Sequence, residues 1–331
     1  MITRRQMLFG SALFPVAAKQ APRPETTVIS KLLQSFEAPT TTAAPPEPRK
    51  VAIFSKHLQF LDVPHMAVAA KEMGFDGIDL AVRDGAHILP EHCEEELPKA
   101  VETIRKAGLE VPMITAGIVD AQSPHAEKIL RTANRLGIRY YRWGGFRYVE
   151  GISIPEQLES FKPRIRDLAG LNRQYGMTAM YHTHSGANQV GACIWDLWYI
   201  LKDFNPDEVG VNYDVCHATV EGGLGGWLHD TRLILPYTRG IAIKDFKWGI
   251  NAKGRWEPMW CPLGEGMVDY NRYLPMVKAA GFRGPVQLHI EYPLGGVENG
   301  GTKPTLPHEQ IFASMRKNLA LVRRWFHEFQ M

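Results

Sequence analysis

From Lys50 onward the chain alternates short apolar runs with longer stretches of helical spacing. Eight runs have strand character: VAIFS from Val51, GIDLAV from Gly77, VPMITAGI from Val111, IRYYRWGG from Ile138, TAMYHTH from Thr178, VGVNYDV from Val209, GIAIKDF from Gly240 and VQLHIEY from Val286. Between them, stretches such as MAVAAKEMGF from Met66, AEKILRTANRLGI from Ala126 and LPMVKAAGF from Leu274 place apolar residues three and four apart. Several of these end in glycine, which a helix C-cap favours.

Apolar strands that alternate with amphipathic helices imply parallel neighbours joined by right-handed crossovers. Eight such units over about 280 residues match a closed (β/α)8 TIM barrel in size. The alternative, a doubly wound open sheet, usually carries Gly-x-Gly-x-x-Gly after its first strand. No such motif follows Val51.

Two segments precede the barrel, which is expected over residues 50–331. Residues 1–20 contain Arg4 and Arg5 followed by an apolar run from Met7 to Ala18. That run is too short to cross a bilayer of about 30 Å and resembles a twin-arginine export signal. It predicts a periplasmic or secreted protein; the competing expectations are an uncleaved anchor or a helix of the fold. Residues 21–49 hold Pro22, Pro24, Pro39, Pro45, Pro46 and Pro48 and three threonines from Thr40 to Thr42. Such composition buries too little apolar surface to offset ordering, so a linker is expected, with KLLQSF from Lys31 as a short helical turn.

Composition changes the picture little, with 45% hydrophobic and 22% charged residues as in ordinary globular chains. The net charge of +3 falls to +1 without the leader's two arginines, and basic residues do not cluster. Nucleic acid is therefore not an expected partner. No stable membrane insertion is expected after processing, and a homodimer is left open. Cys93, Cys193, Cys216 and Cys261 show no Cys-x-x-Cys metal pattern. They are expected to be mainly buried small apolar residues, with Cys216 nearest the chemistry.

In a parallel barrel, catalytic groups sit at the carboxyl ends of the strands. Polar residues accumulate there: Ser55, Lys56 and His57 after the first run, Arg83, Asp84 and His87 after the second, Arg142 in the fourth, His182 and His184 in the fifth. Asp214 and His217 follow in the sixth, Lys244 and Asp245 in the seventh, His289 and Glu291 in the eighth. Residues two apart on a strand point the same way, so His182 with His184, and His289 with Glu291, are expected to share a face. Singly, such a histidine is more often scaffold, an aspartate is more often a helix N-cap, and Lys244 with Asp245 could form a mere surface ion pair. Together they point to a divalent cation, because imidazoles and carboxylates that are costly to bury apart are satisfied by one ion.

The segments YHTH, YDVCHA, IKDF, PLGEGMVDY and HIEYPLGG, in that order, resemble the xylose isomerase-like TIM-barrel superfamily over about Lys50 to Arg324. That superfamily includes inosose dehydratase and the ketose 3-epimerases. The resemblance implies a divalent ion held at the ends of strands five to eight, commonly by Glu, Asp, His and Glu, with a substrate histidine three residues after the Asp. By position these correspond to His182, Asp214, a missing third ligand and Glu291, with His217 facing substrate. Strand five carries His where the epimerases carry a catalytic Glu, and strand seven carries Ala242 where His is usual. The gap leaves either three protein ligands with waters or recruitment of His184, His217 or His289.

The expected activity is isomerisation or epimerisation of a sugar or keto-sugar by proton transfer through an ene-diolate, on Mn, Mg, Co or Zn. The metal set is expected among His182, His184, Asp214, His217 and Glu291, and the catalytic set among Glu291, His182, His217 and Lys244. Lys56, His57, Arg83, His87, Arg142 and His289 would bind the carbohydrate, and Trp143, Trp227, Trp248 and Trp256 are candidates for stacking on it. Two other readings remain: β-elimination from a 3-keto-glycoside on the same site, and a non-catalytic carbohydrate-binding barrel.

Overall fold

The computed structural model describes residues 49–331, so the proposed signal and all of the linker but Arg49 lie outside the described residues. The strands are β1 (Val51–Phe54), β2 (Gly77–Val82), β3 (Glu110–Ala116), β4 (Tyr140–Trp143), β5 (Thr178–His182), β6 (Val209–Asp214), β7 (Thr238–Ile243), β8 (Asp245–Ile250), β9 (Trp256–Cys261) and β10 (Val286–Leu288). Eight of them close a parallel barrel in the order β1, β2, β3, β4, β5, β6, β7, β10, back to β1. β10 is short, but its ladder continues as His289 N–H donates to the Ile243 carbonyl at 3.0 Å.

Helices follow the strands where the apolar spacing predicts them, at Val63–Glu72, Ala126–Arg135 and Tyr270–Ala279 among others. Apolar strand and helix residues such as Ile53, Leu80, Ile114, Leu168 and Val277 are fully buried in the layer between them. Burying such side chains supplies the main drive for closure, at roughly 1.5–3 kcal/mol each. The C-terminal helix His308–Glu328 docks through Arg323, whose guanidinium pairs with Asp76 at 3.1 Å; Asp76 in turn accepts the Val51 N–H. Among the described residues no helix is long and apolar enough to cross a membrane.

The barrel interior carries polar residues: Asp79, Thr115, Asn212 and Gln287 are buried. Gly240 on β7 is required by this packing, because a Cβ there would lie 2.8 Å from both Asn212 Oδ1 and Met180 Sδ. The run GIAIKDF, expected as one strand, divides after Ile243. Its last residues, Asp245 and Phe246, begin an antiparallel hairpin of β8 and β9 that the alternation of apolar runs does not announce. The Asp245 carboxylate fixes the hairpin base by accepting the N–H groups of Phe246, Gly264, Gly266 and Val268 at 2.9, 3.0, 3.1 and 3.2 Å. Asp245 is thus a scaffold residue and makes no surface ion pair with Lys244.

Candidate active site

The ends of β5, β6, β7 and β10 bring His182, Asp214, Lys244, His289 and Glu291 together over the barrel axis. Asp214 serves two purposes. Its Oδ1 caps the helix Val215–Gly222, accepting from Cys216 N and His217 N at 3.0 and 3.3 Å. Its Oδ2 turns into the site. There it lies 3.8 Å from His182 Nε2 and 3.9 Å from His217 Nε2. His289 Nδ1 lies 3.7 Å from Glu291 Oε1.

Three of these buried atoms, His182 Nε2, Asp214 Oδ2 and His289 Nδ1, make no hydrogen bond. Candidate ligand atoms of the same three residues all lie within 4.8 Å of one another. Unpartnered buried polar atoms are rare because each forfeits its hydration. Their convergence is what a cation site looks like from its ligand side, and the His and carboxylate chemistry suits a divalent ion. The residues present therefore fit the metal.

Hydrogen bonds behind the rings set which nitrogen carries each proton. His289 Nε2 donates to Gln287 Oε1 at 3.3 Å, which leaves its Nδ1 lone pair facing the site. Asn212 Nδ2 donates to His182 Nδ1 at 2.9 Å, which puts the His182 proton on Nε2. Asn212 and Gln287 also bond each other reciprocally at 3.1 Å, so turning one amide forces the other to turn. In either orientation one ring offers a lone pair and the other an N–H. The Gln287 amide nitrogen also meets Met113 Sδ, and this donor contact favours the orientation with His182 as the N–H.

Lys244 supplies a resident positive charge. Its ammonium donates to Glu291 Oε2 at 2.7 Å and to His217 Nε2 at 2.6 Å, and lies 3.2 Å from Asp214 Oδ2 without an aligned hydrogen bond. Burial alone would lower its pKa, but Asp214 and Glu291 outweigh that and hold it above the ordinary lysine value. Burial raises the Asp214 carboxyl to about 6 against the pull of Lys244, and Lys244 carries Glu291 well below the usual carboxylate range despite burial. The rings of His182 and His217 are held neutral by burial and by the surrounding cations, with His184 pushed down to about 3 and His289 to about 4. Glu291 keeps 23% of its side chain exposed while Asp214 keeps none, so Glu291 is the carboxylate within a substrate's reach.

The remaining expected residues divide. His184 donates from Nδ1 to the His182 carbonyl at 3.1 Å and meets Arg142 through Nε2 at 3.0 Å, so its second nitrogen already has a partner. His217 passes its Nδ1 proton to Ser185 Oγ at 2.8 Å and uses Nε2 on Lys244, which makes it a holder of the lysine. His57 spans from Ile290 N–H to the Val297 carbonyl, and His87 reaches the Leu61 carbonyl at 3.0 Å; both are used on backbone. Lys56, Arg83 and Arg142 gather at Phe54. Trp143 and Trp227 are buried in the core, whereas Trp248 and Trp256 stand exposed on the hairpin. The tryptophan at the site is Trp260, edge-on to His217 at 5.2 Å and 4.8 Å from the Lys244 ammonium. Trp260, Asn212, Gln287 and Ser185 were not expected as site residues. Two of them stand inside barrel strands, where a polar side chain among apolar neighbours is the available signal. The cysteines are free, and Cys216 lies buried beside Asp214 as expected.

A family model for the xylose isomerase-like TIM barrel matches residues 67–317. The chain belongs to that family. Solved members of this fold include a xylose isomerase-like TIM-barrel protein from Mycobacterium smegmatis in complex with magnesium (17% identity, TM-score 0.58, covering 82% of this chain and 97% of that one). D-psicose 3-epimerase from Clostridium cellulolyticum H10 is similar at 12% identity and TM-score 0.63, over 83% and 99% of the two chains. A probable 3-DHS dehydratase from Bacillus anthracis is similar at 18% identity and TM-score 0.60, over 82% and 99%. At such identities the likeness concerns the fold. No curated protein matches the sequence.

Proposed function

We propose that the protein is a divalent-metal-dependent isomerase or epimerase that moves a proton on the carbon beside the carbonyl of a sugar or keto-sugar. The observation that carries this reading is the convergence of buried atoms on His182, Asp214 and His289 that make no hydrogen bond, beside the ammonium of Lys244 and the Glu291 carboxylate. Asp214, His289 and Glu291 would hold the cation, with His182 taking the place of His289 if the Asn212–Gln287 pair reverses. When bound, the cation would draw electron density from neighbouring hydroxyl and carbonyl oxygens and acidify the adjacent C–H.

The protein's own residues complete the chemistry. Glu291, ionised and partly exposed, takes the C–H proton. Lys244 lies beside it to offset the charge that develops on the ene-diolate oxygen. His182 presents Nε2–H as the acid that returns a proton, and exchange with solvent then restores the His182 proton and removes the one Glu291 took. His217 and Ser185 fix Lys244, and Trp260 covers it.

The His182 N–H also supports a second reading. Given to a leaving group on the β carbon, the same proton would complete an elimination, making the enzyme a lyase or dehydratase of keto-glycosides. Incubation with free sugars, 3-keto sugars and glycosides in D2O separates the two by product, since isomerisation returns deuterium to carbon and elimination gives an enone. One divalent ion per chain is expected, lost in Asp214→Ala and Glu291→Ala together with activity, while His217→Ala keeps the ion and loses turnover. Full metal and activity in both carboxylate variants would leave these residues as caps and scaffold, and metal-free protein that binds sugar without turnover would favour the non-catalytic barrel. Export through Arg4 and Arg5 belongs to this proposal, because an exported enzyme meets glycosides more readily than sugar phosphates.

A further inference from the structure

Three cationic side chains lie at the ends of β1, β2 and β4 and are not used by the chemistry above. Lys56 follows β1, Arg83 follows β2 and Arg142 lies in β4. Their head groups lie 5.9, 5.5 and 6.0 Å from the centroid of the Phe54 ring. We propose that Lys56, Arg83 and Arg142 form a subsite for an anionic substituent of the substrate, a carboxylate or a phosphate ester. The proposal deepens the sugar-enzyme reading and rests on it.

Charge balance supports the subsite. Among the described residues, the side chains of Lys56 and Arg83 make no hydrogen bond or ion pair, and Arg142 has only His184 Nε2. The carboxylates Asp214 and Glu291 are engaged by Lys244. The carboxyl coupled to Arg83 and Arg142 is Asp79, fully buried against the Thr115 hydroxyl, and its burial raises it to about 7, so it is a poor counter-ion. Burial first, and then repulsion from neighbouring cations, lowers Lys56 to about 8 and Arg142 to about 10.

Cations held half out of water without a partner are costly, and a phenyl face repays little of that. An anion would satisfy all three, with guanidinium forks matched to the geometry of carboxylate or phosphate oxygens. Lys56 and Arg142 are also electrostatically coupled to Glu291, so one small molecule could set its acidic end on the cluster and its reacting carbon at the base. Arg83 further lines a cleft of about 370 Å³ with Asp84, Glu91, Gly117 and His125.

The test is calorimetric titration of metal-loaded, full-length protein with D-glucose, D-glucuronate and D-glucose 6-phosphate, repeated on the Lys56→Gln/Arg83→Gln double variant. An acidic sugar is expected to bind at least tenfold more tightly than glucose, and that preference is expected to fall tenfold or more in the variant while its metal content and melting stay as in the wild type. Whether glucuronate or the phosphate binds better then names the anion. Equal binding of glucose and the acidic sugars, survival of the preference in the variant, or binding of none of the three overturns the proposal. Its failure is distinct from failure of the sugar-enzyme reading, which metal content and deuterium exchange judge separately.

Discussion

Replacing Lys244 by Met tests whether its ammonium does the electrostatic work of a cation between two carboxylates. Met keeps the linear stem and removes the charge. At an effective dielectric constant of about 20, contacts at 2.7 and 3.2 Å correspond to roughly 6 and 5 kcal/mol of attraction, most of it offset by desolvation of the ammonium. Losing one partner of a buried ion cluster leaves a net cost of roughly 3–5 kcal/mol, or about 10 °C in Tm for a domain of this size. In the variant the carboxyl pKa values rise above their unfolded values, so the loss is small at pH 5 and full at pH 8. Thermal unfolding of wild type and Lys244→Met is measured in chelator at both pH values, then with saturating Mn2+. Mn2+ should recover most of the lost stability at pH 8, because it takes over the charge the ammonium supplied. An unchanged Tm in chelator, or no recovery with any divalent ion, would refute the reasoning.

Three further outcomes are expected. Asp79 rises from 3.8 to about 7, so its carboxyl contributes stability below about pH 4 that is lost as pH climbs through 7, roughly 4 kcal/mol in all; Asp79→Asn should flatten that part of the curve of denaturant-derived stability against pH. Asp245→Ala leaves four N–H groups without their acceptor and should cost about 2–4 kcal/mol, with hydrogen exchange at Gly264, Gly266 and Val268 accelerated more than tenfold; protection as in wild type would show that the clamp is dispensable. Changing Arg4 and Arg5 to Lys should retain the precursor in the cytoplasm, and periplasmic delivery of that variant would dismiss the twin-arginine assignment.

The barrel was legible because each strand is an apolar run with its polar residues at one end, and that asymmetry also marks the site. His182, Asp214, Lys244, His289 and Glu291 all stand out this way. What spacing alone leaves undecided is which atom of each residue faces the centre. His184 lies two residues from His182, as a shared face requires, and yet Arg142 and a backbone carbonyl occupy its nitrogens. His289, expected on the substrate, presents an unpartnered nitrogen beside Asp214 instead. Ala242 stands where the family resemblance implies a histidine. Ala242 is registered against both Asp214 and Gln287, and Lys244, two residues on, sends its ammonium to the Asp214 carboxylate. Asn212 and Gln287 escaped notice because their effect depends on a pairing across 75 residues of sequence. The hairpin escaped because its strands carry exposed apolar residues in no alternation that separates them from a loop.

The clamped hairpin divides the molecule into a part that can be exchanged and a part that cannot. Its base is fixed by Asp245, with Gly266 so close that a Cβ would meet Asp245 Oδ1 at 2.1 Å, and its Phe246–Trp260 pair is the second rung, after Asp245–Cys261, and carries the tryptophan that reaches the site. Beyond that rung, Trp248, Ile250 and Trp256 are exposed to solvent. For an engineer, residues 247–259 are therefore a cassette: libraries of alternative tips grafted between Phe246 and Trp260 could re-tailor what the mouth admits while leaving the proton-transfer groups on their strands.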